Sequence, residues 1–507
     1  MSEIQPLPVQ LYLSSTVREG EEEAAQARNI PMFELMQRAG QSVFSVIQEL
    51  YQYCHHILVV AGKGNNGGDG YIIARLARQA GYKVTLWQMG DPQSLSGDAL
   101  RAQQLFLDGG GKILPPNEQV AQDVDLIVDG ILGTGIKGHV RPQAQALINT
   151  LNASKRPVIA IDTPSGLDTN TGRILGSAIK ANITVTFIAV KQGLVTGQAR
   201  RVTGEILFAG LGVEDEFVNQ NPPAALLTNP SWLNAISQRE ADSHKGNHGR
   251  LLIAGGGEGM SGAAYLATAA SLRAGVGLAA LICHDTSGHP IRSMLPEAMI
   301  ANQDKLPERL DWCSVVCLGM GLGRNAWSED IFNTVAQKVA SNRNIPKVID
   351  ADGLYWLSQQ FDSDSPWQNL VITPHPGEAA MLLGCQISDV ETDRYQAALS
   401  LSEKYQCITV LKGAGTLICD GDTTVVCHAG NAGMATGGMG DVLAGTIAAL
   451  LGQGYPPMRA ATLGTLIHSM AADIEAKRAG KIGLLASDLL PAIRSVINSK
   501  THPMEQQ

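Results

Sequence analysis

The sequence predicts an α/β protein of two tandem domains, and three observations carry this prediction. Short apolar runs alternate with helix-length segments, which is typical of doubly wound parallel sheets. The alternation stops once, over residues 212–230, in a polar stretch with a double proline and an Asn-Pro pair. Glycine-rich polar clusters follow several of the predicted strands. We therefore expect one domain over residues 1–220 and another over residues 230–500.

The bulk composition narrows the function classes. A chain of 507 residues exceeds what one core usually holds. The net charge of −9, the lack of a basic tract and an aromatic content of 5% predict no nucleic-acid binding. The absence of a long apolar run and of a signal-peptide pattern predicts no membrane association. Eight scattered cysteines lack zinc-site spacing, which predicts free thiols and a cytoplasmic location.

In the first half, apolar residues recur at three- and four-residue steps after Pro31, which predicts an amphipathic helix up to Leu50. A helix over residues 71–80 should end at Gly81. Continuous apolar runs predict strands covered on both faces. The predicted strands are residues 57–62, 83–89, 125–130, 157–162 and 183–190.

A second strand and helix series follows the polar stretch. Its predicted strands are residues 250–255, 278–283, 315–319, 347–352, 370–373, 408–413 and 416–421. The last two predicted helices span residues 441–451 and 459–479.

Three polar clusters of the first half, residues 62–70, 129–138 and 162–168, each begin where a predicted strand ends. Ligands of open parallel sheets bind in the crevice at these strand ends, so the clusters predict one pocket. Backbone NH groups of the glycines, and a helix expected to begin after Asp69, would bind a phosphate. Oxygens of Asn66, Asp129 and Ser165 suit a hard cation, and Asp162 is a candidate acid–base.

Structural alternatives exist for each of these clusters. A lone glycine-rich turn is often only a turn. Asp69 could cap its helix, and Asp168 could close an Asx-turn.

The second half has a stronger signal at residues 430–445, where glycines run into Asp441 and an apolar helix. Such a loop stabilises a transferred phosphoryl group while the carboxylate accepts a hydroxyl proton. Glu378 could organise a magnesium–water shell, and His375 could reach the substrate. Alternatively, His375 is a turn residue between prolines, Lys412 is a surface charge, and Asp441 is a helix cap.

Residues 430–445 resemble the anion loop of ribokinase-like small-molecule kinases. Nearly the whole chain resembles the bifunctional NAD(P)H-hydrate repair enzymes. The resemblance is carried by NNGGDG, IDTPSGLD, HKGNHGR, TPHPGE, KGAGT and GGMGDVLAG, in that order. It implies an N-terminal, Rossmann-like epimerase domain of the YjeF N-terminal type. It also implies a C-terminal, ribokinase-like α/β/α dehydratase domain that uses ADP or ATP.

The resemblance also implies site residues at matching positions. The epimerase would bind the hydrate through Asn65, Asn66, Gly67, Gly68, Asp69, Gly133, Thr134, Gly135, Ile136, Lys137, Gly138, His139 and the catalytic Asp162. Potassium would lie between Asn66, Asp129 and Ser165. The dehydratase would bind the hydrate through Ala263, Gly321, His375 and the catalytic Asp441. Its nucleotide would contact Lys412, Gly413, Ala414, Gly415, Thr416, Asn431, Ala432, Gly433, Met434, Ala435, Thr436, Gly437, Gly438, Met439 and Gly440.

The implied reaction repairs water-damaged NADH and NADPH. The first domain would interconvert the R and S hydrates, and the second would phosphorylate the ring hydroxyl of the S form, with Mg²⁺ and ADP or ATP, before elimination. The implied partners are these small molecules and further copies of the chain, with residues 10–23 as a possible arm. Met320, Met439 and Lys137 depart from the family pattern.

Two rival hypotheses remain open. A vitamin or sugar kinase with an accessory domain would use the same Asp441, but it would leave the NNGGDG and DTPSGLD motifs without a task. A scaffold role is the second rival, since related N-terminal domains occur in RNA-binding scaffolds; the acidic chain argues against it.

Overall fold

The computed structural model describes residues 4–136, 138–341, 344–362, 364 and 366–499. The chain divides into two compact units, unit 1 (residues 1–226) and unit 2 (residues 227–507). The limit between them lies inside the polar stretch at residues 212–230.

Unit 1 alternates strands and helices as the apolar pattern predicts. Its elements are β1 (Gln10–Tyr12), α1 (Ser14–Ala27), α2 (Met32–Leu50), β2 (His56–Ala61), α3 (Asn65–Gln79), β3 (Lys83–Gln88), α4 (Gly97–Asp108), β4 (Ile113–Leu114), β5 (Leu126–Gly130), α5 (Pro142–Ala153), β6 (Val158–Ile161), β7 (Ile183–Phe187), β8 (Val190–Lys191), β9 (Glu205–Ala209), α6 (Glu214–Gln220) and β10 (Ala225–Leu227).

The main sheet of unit 1 is parallel throughout its described strands, in the order β4-β3-β2-β5-β6-β7-β9. The chain changes winding direction between β2 and β5, which is the point where such sheets open a binding crevice. All six residues of β2 are buried, as expected for a strand covered on both faces. The prediction of a doubly wound parallel sheet is therefore confirmed.

The N-terminal segment of unit 1 packs on its own unit. Strand β1 pairs with β8 in parallel and with Ala225 and Leu226 of β10 antiparallel. Helix α1 then packs on α2 and α6. Residues 10–23, the possible arm toward a partner, are thus held within the same chain.

Unit 2 has a second strand and helix series. Its elements are β11 (Arg250–Ala254), α7 (Ser261–Arg273), β12 (Leu278–Ile282), α8 (Asp285–Met294), β13 (Met299–Ala301), α9 (Leu306–Trp312), β14 (Val315–Leu318), α10 (Ala326–Ser341), β15 (Lys347–Ile349), α11 (Asp352–Gln360), β16 (Leu370–Ile372), α12 (Pro376–Leu383), α13 (Ile387–Thr392), α14 (Arg394–Tyr405), β17 (Ile408–Leu411), β18 (Thr416–Cys419), β19 (Thr424–Cys427), α15 (Met439–Gly452), α16 (Pro457–Ala479) and α17 (Leu489–Asn498).

In the sheet of unit 2 the described strands β13-β12-β11-β14-β15-β16-β17 run parallel in that order, and β18 and β19 extend it antiparallel. The winding direction changes between β11 and β14. The glycine-rich loops that follow these two strands therefore open one crevice.

Three expectations about element bounds are wrong. Helix α3 begins at Asn65, not after Asp69. The predicted strand at residues 183–190 divides into β7 and β8, because Ile188 takes a left-handed backbone with φ +66°. The predicted strand at residues 416–421 ends at Cys419, where a turn leads into β19.

Candidate functional sites

A cavity of about 700 Å³ opens at the winding change of unit 1. The loops after β2 and β5 line it, together with Asp162 after β6 and residues of α1 and α2. The three sequence clusters thus meet in one pocket, as the strand-end argument predicts. The predicted substrate residues in its lining are Asn65, Asn66, Asp69, Gly133, Thr134, Gly135, Ile136, His139 and Asp162.

Gly67, Gly68 and Gly138 are absent from the cavity lining within the described part of unit 1. Gly67 and Gly68 lie inside α3 and allow close packing: a Cβ on Gly67 would stand 2.2 Å from the Gly62 carbonyl oxygen, and one on Gly68 would stand 2.7 Å from Met36. Lys137 lies outside the described residues.

The first turn of a helix leaves NH groups without intrahelical partners, and Asn65 and Asn66 at the start of α3 line the cavity. Gly64 is the N-cap, so Asp69 is the fifth residue of the helix and the capping alternative for it is wrong. Asp168 does close an Asx-turn, since its Oδ1 accepts hydrogen bonds from the NH groups of Asn170 and Thr171.

Asp162 is held in a fixed position by three donors. Its backbone is left-handed with φ +62°. Its Oδ1 accepts hydrogen bonds from Thr186 Oγ1 at 3.1 Å and from the Phe187 NH at 3.2 Å. It also pairs with Lys191 Nζ at 2.5 Å, and the Lys191 side chain is only 2% exposed. The second carboxylate oxygen of Asp162 is left for the cavity.

Further carboxylates surround this ion pair. Glu21 of α1 lines the cavity, and burial, together with the charge of Asp162 and against the charge of Lys191, raises its pKa to about 7. Burial raises the pKa of Asp69 well above its usual range, and the charges of Asp162 and Glu21 raise it further. Glu21, Asp69 and Asp162 thus influence one another electrostatically at this cavity.

The predicted cation ligands come together beside β5. Asp129 is fully buried, and its carboxylate accepts hydrogen bonds from Ser165 Oγ at 2.6 Å and from the Ser165 NH at 2.8 Å. Asn66 Nδ2 donates to the Leu132 carbonyl at 3.1 Å, and Ser165 Oγ, whose single proton goes to Asp129, lies 3.1 Å from the same carbonyl. Burial raises the pKa of Asp129 to about 6 despite these hydrogen bonds.

Unit 2 brings its predicted hydrate-contact residues to the crevice between β11 and β14. Gly321 has φ +58°, and a Cβ placed on it would stand 3.0 Å from the Cβ of Ala263. The two residues are therefore neighbours, and glycine is needed both for the backbone angle and for the close approach.

Asp441 lies in the first turn of α15, three residues after the N-cap Gly438, so the cap alternative is wrong. Burial and the charges of Asp350 and Glu378 raise the pKa of Asp441 to about 7, against an opposing effect of Lys412. A carboxyl group with this pKa is suited to accept a proton near neutral pH.

Lys412 forms an ion pair beneath the glycine loop. Its Nζ lies 2.7 Å from Asp350 Oδ1 and 3.6 Å from Glu378 Oε2, and its side chain is 18% exposed, so the surface-charge alternative is wrong. Burial alone lowers the pKa of Lys412, but the nearby carboxylates outweigh it and raise the pKa. A Cβ on Gly440 would stand 3.2 Å from Lys412 Nζ, so the loop lies directly against this ammonium group.

Buried groups hold in place the two segments that are predicted to bind the nucleotide. Arg394 is 1% exposed and donates to the carbonyls of Leu411 and Lys412. Gly413 has φ +147°, and a Cβ on it would stand 2.7 Å from the Arg394 guanidinium group, so only glycine leaves room for this arginine. Asn431 Nδ2 donates to Asp473 Oδ1 at 2.8 Å and fixes the start of the second segment. A Cβ on Gly437 would meet no described atom within 4 Å, so the loop borders open space there.

His375 is the N-cap of α12. Its Nδ1 accepts hydrogen bonds from the NH groups of Gly377 and Glu378 at 3.0 and 3.2 Å. Glu378 Oε2 in turn accepts a hydrogen bond from the His375 NH. His375 thus caps a helix with its side chain, which is a structural role but not that of a turn residue. The side chain is 56% exposed, so its role toward a substrate stays a prediction.

Sequence reasoning gave no role to four side chains of the sites: Glu21, Lys191, Asp350 and Arg394. Asp350 lies near the end of the predicted strand over residues 347–352, and that position is a signal of function. Lys191 stands in an apolar run, where a buried lysine is a signal of function. Glu21 and Arg394 lie in ordinary charged helices and carry no local signal.

Two departures from the family pattern, Met320 and Met439, are buried. Met320 is fully buried and in contact with Cys317, and Met439 is 6% exposed at the start of α15.

The cysteines are free, and Cys385 alone among them is not buried. Within the described residues, no group of three His, Cys, Asp or Glu side chains could bind a metal ion, and none of the helices has the length and hydropathy to cross a bilayer.

Comparison with known proteins covers both units. Residues 32–193 match the family described as YjeF-related protein N-terminus, and residues 251–495 match the family described as NAD(P)H-hydrate dehydratase. The chain is 45% identical over 502 residues to the bifunctional NAD(P)H-hydrate repair enzyme Nnr of Vibrio cholerae, with 98% of this chain and 100% of that protein covered. It is 41% identical over 495 residues to the enzyme of the same name in Escherichia coli, with 97% and 95% covered.

Two solved structures resemble part of the chain. A hypothetical protein from Streptococcus mutans has a TM-score of 0.50 at 28% identity, with 54% of this chain and 98% of that chain covered. A ribokinase-like superfamily protein from Enterococcus faecalis has a TM-score of 0.50 at 29% identity, with 54% and 94% covered. The C-terminal part thus has the ribokinase-like fold that residues 430–445 predict.

Proposed function

Since this chain belongs to the bifunctional NAD(P)H-hydrate repair enzymes, we propose that unit 1 interconverts the R and S hydrates of NADH and NADPH, and that unit 2 dehydrates the S form at the expense of ADP or ATP. The observation that carries this division is that each unit has its own partly buried carboxylate: one lines the cavity of unit 1, and the other lies in the first turn of α15, after the glycine loop of unit 2. These carboxylates are Asp162 in unit 1 and Asp441 in unit 2.

Epimerisation at carbon six of the ring requires that one C–O bond breaks and another forms on the opposite face. The lone pair of the ring nitrogen expels the hydroxyl group, which must gain a proton and leave as water. A new water must lose a proton as it adds. Asp162 would move one of these protons, because Lys191 holds one of its oxygens and the other is left for the cavity.

A potassium ion fits the cluster beside β5. A hard cation prefers oxygen ligands. The groups that could supply them are the Asp129 carboxylate, the Ser165 hydroxyl, the Leu132 carbonyl and the Asn66 side-chain amide. The buried carboxylate of Asp129, whose pKa is raised to about 6, supports this proposal, because a cation would offset the cost of burying its charge. Such an ion would supply fixed positive charge beside the loop that follows β5.

In unit 2, Asp441 would accept the proton of the ring hydroxyl as that oxygen attacks the terminal phosphoryl group. The NH groups at the start of α15 would stabilise the charge on the transferred group. Elimination of the phosphate, with loss of a ring proton, restores the dihydronicotinamide. Glu378, which lies near Lys412, would hold a water of a bound Mg²⁺, and that ion would supply positive charge for the nucleotide phosphates.

The remaining site assignments are part of the same proposal. The hydrate would contact Ala263, Gly321 and His375, and the nucleotide would contact residues 412–416 and 431–440. Assembly into homo-oligomers stays a prediction. A cytoplasmic location is supported by the free cysteines.

Two matched substitutions test the division of labour. We expect Asp441→Asn to abolish dehydration and keep epimerisation, and Asp162→Asn to keep dehydration of the S form while the R form persists. Chromatography of the two epimers, together with the near-ultraviolet absorbance of the restored cofactor, measures both. Loss of both activities in either folded variant would contradict the proposal.

A further inference from the structure

Helix α1 brings a carboxylate to the epimerase cavity from outside the matched motif region. Glu21 lines the cavity that Asp162 and Lys191 also line. The family match of unit 1 begins at residue 32, so α1 precedes it. No motif of the sequence points to this residue.

The packing of α1 explains why Glu21 faces inward. Gly20 lies against α6, where a Cβ would stand 2.7 Å from Asn221 and 2.9 Å from Phe217. Val17, Ala24 and Ala25 are buried on the helix face that Glu21 shares at three- and four-residue spacing. A charged residue on such a buried stripe is costly unless it has a partner or a function.

The start of α1 is anchored to unit 1. The Ser14 NH donates to Asn170 Oδ1 at 2.8 Å, and β1 pairs with β8, whose last residue is Lys191. The arm that holds Glu21 is therefore fixed to the strand that holds the lysine.

The surroundings of Glu21 suit proton exchange near neutral pH. Glu21, Asp69 and Asp162 line the same cavity, and the buried ammonium group of Lys191 is paired with Asp162. Burial and the charge of Asp162 raise the pKa of Glu21 to about 7, against the opposing charges of Lys191 and Arg18. The other charged or titratable groups that line the cavity are Arg18, Lys63, Asp98, His139 and Arg141, and Glu22 acts on Glu21 from the same helix.

We propose that Glu21 is the second acid–base residue of the epimerase site and works as a pair with Asp162. This inference rests on the proposed epimerase function of unit 1. One carboxyl group of the pair gives its proton to the ring hydroxyl as the C–O bond breaks, and the ring nitrogen supplies the electron pair. The other, as a carboxylate, takes a proton from the water that adds to carbon six, and the electron pair returns to nitrogen. The two roles exchange in the reverse direction, so protons and electrons balance.

Glu21→Gln tests this pairing, with Glu23→Gln as the matched control because Glu23 is exposed on the same helix. Pure S hydrate is incubated without nucleotide, appearance of the R form is followed by chromatography, and the enzyme-free rate is subtracted. We expect Glu21→Gln to lower kcat by about 100-fold or more with little change in KM, as loss of a general acid–base does. Glu23→Gln should keep the wild-type rate.

The outcomes separate the inference from the function on which it rests. A folded Glu21→Gln protein with the wild-type kcat, or with a raised KM alone, would overturn the role of Glu21 while Asp162→Asn still abolished epimerisation. If Asp162→Asn also kept full epimerase activity, the proposed function of the cavity itself would fail. Denaturant unfolding of each variant, compared with wild type, reports whether unit 1 folds, and dehydration of the S form reports that unit 2 is intact. Should Glu21→Gln not fold, Glu21→Asp replaces it, and a pH profile of kcat identical to wild type would overturn the proposal.

Discussion

Asp441 lies among charges of both signs, and their balance sets the pH at which it acts as a base. The negative charges of Asp350 and Glu378 raise its pKa, and the positive charge of Lys412 lowers it. The resulting pKa of about 7 separates Asp441 from an ordinary aspartate, which is already ionised at any physiological pH. Dehydratase activity should therefore depend on pH near neutrality.

We expect the kcat of dehydration to fall as the pH drops below about 7, because Asp441 becomes protonated and can no longer accept the hydroxyl proton. Glu378→Gln removes a negative charge that raises the pKa of Asp441, so the fall in kcat should move to lower pH. Lys412→Gln removes the positive charge that lowers this pKa, so the fall in kcat should move to higher pH. A pH profile of kcat at saturating nucleotide measures all three proteins. Shifts of the same sign in both variants would contradict this electrostatic account.

Single residues also mark where sequence reasoning stops. Asp162 and Asp441 could be identified from the sequence because each follows a predicted strand or a glycine loop. Glu21 and Arg394 reach their sites only through tertiary packing, Glu21 by way of α6 and Arg394 under Gly413. Side chains placed by contacts between distant elements leave no local pattern to read.

At the scale of elements, α7 and α15 form a close helix pair that supports both the crevice and the glycine loop of unit 2. Gly445 makes the contact possible, since a Cβ there would stand 2.1 Å from the Ala267 carbonyl oxygen. That carbonyl is helical backbone and cannot move aside like a flexible side chain. The two helices would have to separate.

Gly445→Ala should therefore lower the free energy of unfolding of unit 2 by about 1–3 kcal/mol, the usual cost of overpacking. Gly262→Ala on α7 is the control, because Gly262 is exposed and a Cβ there meets no described atom within 4 Å. It should be neutral or stabilise by up to about 1 kcal/mol through helix propensity. Denaturant unfolding compares both with wild type, and an equally stable Gly445→Ala protein would contradict the packing argument.

Elements with a clear apolar pattern could be predicted, including β15 and β16 of three residues each, and elements without such a pattern could not. Helix α2 and the buried strands β2 and β11 follow from the period and continuity of their apolar residues. Strands of two to five residues, such as β1, β4, β9 and β13, are too short or too mixed to show a pattern. The early start of α3 escaped prediction because its first turn is rich in glycine, which ordinarily opposes helix formation.

At the scale of the whole molecule, each unit has a parallel sheet with its own crevice and its own acidic residue. The order of motifs along the chain was sufficient to predict this arrangement, because strand-end clusters must meet wherever a parallel sheet changes its winding direction. Which of those residues line the cavity was not predictable, since Gly67 and Gly68 serve packing instead.

The most direct test of the account uses the purified chain with both epimers of NADPH hydrate, magnesium and potassium, and ADP or ATP in separate reactions. The absorbance of reduced nicotinamide reports the restored cofactor. We expect full recovery from both epimers with at least one nucleotide. Recovery of the S form alone would contradict the epimerase function of unit 1, and no recovery with either nucleotide would contradict the repair function as a whole.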